Sequence, residues 1–172
     1  RGLWNCIYDQ GDVNGSLALA NRLYDLAHKD GSISLTALAL RAVGSSQLNL
    51  CQLDDALENF SKVLDLTRNE ALTFSLEEHD PILPFNAGLY IGYINGVRGN
   101  LDLALECGSR AVALARQAQH PLSSAFTLAI FGVINLLRRD YAACLEAEQE
   151  VAELSVEHGL VFWAAHSAII AG

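Results

Sequence analysis

Four short polar turns, each leading into a helix-forming run with a small residue near its start, limit most strongly what this chain can fold into. They read Gly11-Asp12-Val13-Asn14-Gly15-Ser16-Leu17, Cys51-Gln52-Leu53-Asp54-Asp55-Ala56-Leu57, Gly99-Asn100-Leu101-Asp102-Leu103-Ala104-Leu105 and Arg139-Asp140-Tyr141-Ala142-Ala143-Cys144-Leu145. The small residues Ser16, Ala56, Ala104 and Cys144 recur at intervals of 40, 48 and 40 residues. Self-similarity at such a period marks an array in which each unit buries its apolar face only by stacking on its neighbours. Gly44, Gly92 and Gly132 each stand twelve residues before a small residue, and Trp4 takes that place in the first repeat. Glycine there lets the two helices of a pair approach closely. Leu23, Val63, Ala111 and Val151 share a later position. Leu53, Ala56, Leu57, Phe60, Val63 and Leu64 form an apolar face with helical spacing.

The chain is therefore expected to be all-α. Helix pairs are expected over about 2–28, 33–67, 83–118 and 121–158, with a further partial helix over 160–172, all within one repeat domain, 1–172. The extra residues of the longer interval fall in Arg68 to Pro84, where Leu72 to Leu76 suits a helix. A connection of that length is either a functional or mobile segment or a tolerated surface insertion. The grammar resembles the tetratricopeptide pattern, although its period of about 40 exceeds the roughly 34 residues of the standard repeat. That resemblance implies a tetratricopeptide-like α-α superhelix, a right-handed solenoid of antiparallel helix pairs.

Composition narrows the function classes. Hydrophobic residues make up 51% of the 172 and charged residues 18%, too apolar a balance for a disordered chain. The formal net charge of -9 argues against direct nucleic-acid binding, because an acidic surface repels phosphates. The uncharged stretches Pro81 to Val97 and Pro121 to Leu137 fall short of the roughly 18 to 20 apolar residues that span a bilayer, so they read as buried helices. Cys6, Cys51, Cys107 and Cys144 follow no zinc or disulfide spacing and read as four reduced, small, buried thiols of a cytoplasmic protein. The chain opens on Arg1 and runs to Gly172 through an apolar periodic run, and it reads as a piece of a longer polypeptide.

No catalytic motif emerges. The sequence holds no G-x-x-x-x-G-K-[ST] loop, no G-x-G-x-x-G after a strand and no H-E-x-x-H. The acidic and histidine run Glu77-Glu78-His79-Asp80 reads as a solvated loop, with Asp80 before Pro81 as a helix-start signal, rather than as a metal site. His158 and His166 flank a turn and need not share a face, and neither serine pair, Ser45-Ser46 or Ser123-Ser124, has histidine and aspartate partners at a recognisable spacing. No catalytic residue, cofactor or metal is expected, and the chain is not expected to be an enzyme.

One larger resemblance adds to this. His79-Asp80-Pro81, the helix from Leu89 to Gly99, and Asp102-Leu103-Ala104-Leu105 carry its first part. Ala111-Val112-Ala113-Leu114-Ala115-Arg116, His120-Pro121-Leu122-Ser123-Ser124-Ala125-Phe126 and His158-Gly159-Leu160-Val161-Phe162-Trp163 carry the rest. These runs resemble the C-terminal tetratricopeptide-like region of large bacterial signalling ATPases, including cyclase-linked ATPases and ATP-dependent transcription regulators. The resemblance implies a protein-interaction or effector-sensing module whose partners are a protein or peptide, or a small effector, together with neighbouring domains of its parent chain. The alternative is a structural module that self-associates, as a homodimer through the array ends. In tetratricopeptide stacks the first helix of each pair lines the inner groove. That geometry picks out Arg41, Ser45 and Asn49 in the second pair, Asn86, Leu89 and Tyr93 in the third, and Phe126, Ala129 and Val133 in the fourth. Asparagine, arginine and tyrosine side chains there suit a peptide backbone or carboxylate.

Overall fold

Polar groups at the helix ends set the element boundaries. The computed structural model describes residues 2–67 and 83–172, and every regular element among them is a helix. In chain order these are α1 Gly2–Asp9, α2 Val13–Asp30, α3 Ile33–Asn49, α4 Leu53–Thr67, α5 Leu83–Val97, α6 Leu101–Ala118, α7 Pro121–Leu137, α8 Tyr141–His158 and α9 Val161–Ala171. Asp12, Ser32 and Asp140 accept from the backbone N–H of Gly15, Leu35 and Ala143 at 2.9, 3.3 and 3.2 Å, capping α2, α3 and α8. Pro121 opens α7, where its fixed φ is already helical and its missing N–H costs nothing. Of the long connection, residues 68–82, with the run Glu77-Glu78-His79-Asp80, lie outside the described residues.

The turn inside each pair places a left-handed residue at the same position four times. Gly11, Cys51, Gly99 and Arg139 all have positive φ, at 77°, 58°, 85° and 61°, and each lies five residues before its repeat's small residue. In the last three repeats the following N–H closes the turn on a carbonyl five residues back: Gln52 on Gln47, Asn100 on Asn95 and Asp140 on Asn135, at 2.9, 2.8 and 3.0 Å. This pattern satisfies carbonyls that the end of a helix leaves without partners. Glycine enters the left-handed region freely, whereas a side chain there costs about 1–2 kcal/mol. Cys51 and Arg139 therefore hold a conformation imposed by the turn. Between pairs a second left-handed position recurs at Gly31, Gln119 and Gly159.

Two compact units result, Arg1–Ala87 and Gly88–Gly172, with the division falling inside α5. In the first, α2 packs on α1 and α3, and α3 packs on α4. Trp4, Ala20, Ala42 and Val43 form a core there, with Tyr8, Leu17, Leu19 and Tyr24 against it. Trp4 holds the place of glycine in the first repeat and uses its size: its indole Nε1 donates to Ser46 Oγ of α3 at 3.3 Å. Ser16 Oγ donates to the same hydroxyl at 3.1 Å, so one buried serine ties α1, α2 and α3 together. In the second unit α7 packs on α6 and α8, and α9 packs on α8 and α7. Val112, Leu128, Ala129 and Val151 form its core with Phe131, Leu154 and Trp163.

The small residues and glycines mark the closest approaches. Ser16, Ala56 and Ala104 are fully buried and Cys144 nearly so. A Cβ added to Gly44 would stand 3.1 Å from the Phe60 ring of α4. One added to Gly92 would stand 3.0 Å from the Cβ of Cys107 and 3.1 Å from the carbonyl oxygen of Ala104, both on α6. Backbone cannot yield as a flexible side chain does, so Gly92 is the least replaceable of the set. Gly92→Val is expected to destabilise the fold by about 1–3 kcal/mol through overpacking. A urea unfolding midpoint unchanged by Gly92→Val would show that the α5–α6 contact is looser than these distances require.

Candidate functional site

The residues projected onto a groove fall into two sets. On α3, the Arg41 guanidinium lies over the Trp4 ring, 5.0 Å from its centroid. Asn49, exposed at the end of α3, hydrogen-bonds Tyr8 of α1. Burial raises the Tyr8 phenol above its ordinary value, and the bond to Asn49 followed by the Arg41 charge offsets part of that rise. The structure thus brings Arg41 and Asn49 together on the Trp4–Tyr8 ring pair, whose centroids are 4.7 Å apart. Ser45 is buried, and its Oγ has no hydrogen-bond partner. On α5, Asn86 is buried with an unpartnered Oδ1, and Tyr93 is half-buried. Leu89 is 0% exposed, so it belongs to the packed interior and offers no surface to a ligand.

A continuous run of rings lies on the first helices of the second unit. Tyr90 of α5 meets Phe126 of α7 edge-on, with centroids 5.9 Å apart. Phe126 meets Trp163 of α9 at 5.6 Å, and Trp163 meets Phe162 at 4.8 Å and His166 at 5.7 Å, all near edge-to-face. Tyr90, Phe126 and Trp163 are half-buried, and Phe162 is 71% exposed. Edge-to-face pairs fix one another's orientation and contribute about 0.5–1.5 kcal/mol each beyond burial. The row is therefore a preformed surface, apolar on its faces. Of the projected residues in this pair of helices, Phe126 joins the row, Val133 is half-buried, and Ala129 lies in the core. Sequence reasoning missed Tyr90, Phe162, Trp163 and His166 as a group. The signal was the clustering of rings at first-helix positions, though only the packing makes them touch.

The second feature is a carboxylate in a core position. Glu148 lies four residues after Cys144, where the earlier repeats place Ala20, Phe60 and Gly108. It shares a helical stripe with Cys144, Ala147 and Val151, and is 1% exposed. Its seat is Gly132 of α7, since a Cβ at that glycine would collide with Glu148 Oε1. Neither carboxylate oxygen has a hydrogen-bond partner. His166 Nε2, itself buried and unpartnered, stands 3.7 Å from Oε1. Burial pushes the Glu148 carboxyl up to about 7. Burial also lowers the His166 imidazole, with a hydrogen bond to the Ala129 backbone acting against it. Both groups thus favour their neutral forms. Of the four cysteines expected to be buried only Cys144 is, since Cys6 and Cys51 are exposed near helix ends and Cys107 is half-buried; burial raises the Cys144 thiol, and the Glu148 charge adds to that rise.

Among the described residues no group of three or more histidine, cysteine, aspartate or glutamate side chains is placed to hold a metal ion, and no helix is long and apolar enough to cross a membrane. His158 Nε2 stands 3.8 Å from Glu157 and His166 Nε2 3.7 Å from Glu148, so the two histidines face different carboxyl groups.

The Glu148 carboxyl binds its proton more tightly in the fold than in the unfolded chain, where 4.5 is its ordinary value. Its contribution to stability is complete below 4.5 and is lost as the pH rises through about 7. Glu148→Gln is a neutral substitute of the same shape. It is expected to stabilise the fold by roughly 3 kcal/mol at about pH 8 and by little at about pH 4. Urea unfolding of both chains at the two pH values checks this, and an equal difference at both would refute a protonated Glu148. The chain matches no protein-family model and no curated protein.

Proposed function

We propose that this chain is a tetratricopeptide-like interaction module, a right-handed stack of helix pairs that senses a protein, a peptide or a small effector for an attached signalling ATPase. The recurring turn, the small-residue seats and the close approach of α3 to α4 and α5 to α6 support the architecture. The motifs that resemble the repeat regions of bacterial signalling ATPases support the placement. The row Tyr90–Phe126–Trp163–Phe162 carries the binding role. Rings preset on three first helices give a ligand large apolar contact with little ordering cost, which is how aromatic anchors dominate recognition surfaces. Partial burial leaves Tyr90, Phe126 and Trp163 both held and reachable. A ligand that prefers one arrangement of the helices shifts the population by its differential affinity, and about 1–3 kcal/mol suffices for a signal.

Self-association is favoured by a different observation. On α9, Val161, Phe162, Ala165, Ala168 and Ile169 are exposed and recur with helical spacing, with no charged side chain among them. Val161 and Ile169 are 80% and 78% exposed. Such a stripe suits a second copy of the chain.

A peptide-display selection on the purified chain, followed by calorimetry of the selected peptides, separates the two readings. Phe126→Ala and Trp163→Ala are each expected to weaken binding at least tenfold, about 1.4 kcal/mol or more. Ser61→Ala, on the exposed face of α4, should leave it unchanged. Selected peptides that bind both ring variants as tightly as the parent would end the aromatic-row reading. Sedimentation with Phe162→Asp tests the rival: a parent mass that rises with concentration and a variant that stays monomeric would favour self-association, and a monomeric parent would remove it.

A further inference from the structure

Glu148 and His166 lie where three helices meet, and His166 borders the aromatic row. Glu148 is on α8, seated against Gly132 of α7, and His166 is on α9. His166 faces three ways: toward Glu148 Oε1 at 3.7 Å, toward the Ala129 backbone of α7, and toward the Trp163 ring at 5.7 Å. Few other charges reach the pair. α7 carries no titratable side chain at all, and α9 carries His166 alone. On α8 the titratable neighbour is Cys144, whose thiol feels the Glu148 charge. From α6 the group packed toward α8 is Arg116, engaged with Glu150 at 2.6 Å on the exposed flank.

We propose that Glu148 and His166 act as a single proton-sharing latch that fastens α9 against α7 and α8 and, through His166 and Trp163, sets the geometry of the aromatic row. With one proton between them the pair is neutral overall, and closing the 3.7 Å gap lets the acid donate to the imidazole nitrogen. When the proton leaves, a bare carboxylate remains in an apolar seat with no donor on either oxygen. Uncompensated buried charge is strongly unfavourable, so Glu148 withdraws toward water, and His166 loses the acid that holds α9 in place. α9 carries His166 and Trp163 together, and its outer stripe is exposed. Its displacement carries Trp163 away from Phe126. The row then changes shape with one protonation step belonging to the pair, as coupled groups titrate.

The latch is independent of whether the row binds a peptide, because its test reads the rings directly. The chain has two tryptophans, so Trp4→Phe leaves Trp163 as the only indole. In that background, Trp163 emission is followed from about pH 6 to about pH 9, with far-ultraviolet circular dichroism to verify constant helicity. A single step centred near 7 is expected. Glu148→Gln should abolish the step. His166→Leu should abolish the emission step while an infrared band of protonated carboxyl still titrates. A folded parent with no step, a step that survives Glu148→Gln, or one that survives His166→Leu would each overturn the proposal. If Glu148→Gln does not fold, the infrared experiment on the parent decides: a protonated-carboxyl band lost across the emission step supports the latch, and no such band refutes it.

Discussion

Everything in this molecule depends on how closely the two helices of a pair approach. The left-handed residue that ends each first helix fixes the reversal, and the small residue five positions later lets the second helix cross the first at short range. At Gly92 the limit is another backbone, with Ala104 and Cys107 of α6 directly opposite. The cost of a left-handed Cys51 or Arg139 is small beside the burial that the reversal makes possible. Within each unit a helix gains its core from neighbours in space, so its exposed face is set by what packs on it.

The same crossing gives Glu148 its unusual setting. In the second pair the glycine seat receives the Phe60 ring, and in the fourth it receives a carboxyl group. A ring there adds apolar burial. A carboxyl without donors costs stability when ionised and so stays protonated toward neutral pH. Natural cores keep few such groups without partners. This one sits beside the only titratable side chain of α9, and next to the tryptophan that connects α9 to the ring row.

The two compact units also use their first-helix side chains differently. In Arg1–Ala87, Arg41 and Asn49 are committed to Trp4 and Tyr8. In Gly88–Gly172 the rings contact one another and keep part of their surface in solvent. A polar groove contact and an aromatic platform are different recognition chemistries, and the second is the one whose rings are both oriented and accessible.

Sequence alone determined the helical class, the paired arrangement and the places of closest approach. These follow from local chemistry: glycine at positive φ, caps that satisfy free N–H groups, proline at a first turn, and small residues at a fixed offset. Glu148 was legible in principle, because it interrupts the stripe of Cys144, Ala147 and Val151. Its partner was not, since His166 lies on another helix and reaches Glu148 only through the packing of α9. Tertiary structure alone decided that Leu89 is interior, that Arg41 and Asn49 are held by α1, and that Tyr90, Phe126 and Trp163 touch. The physical reason is that periodicity assigns a residue to a helix face, whereas burial, ring contact and the protonation of a carboxyl depend on which distant segment covers that face.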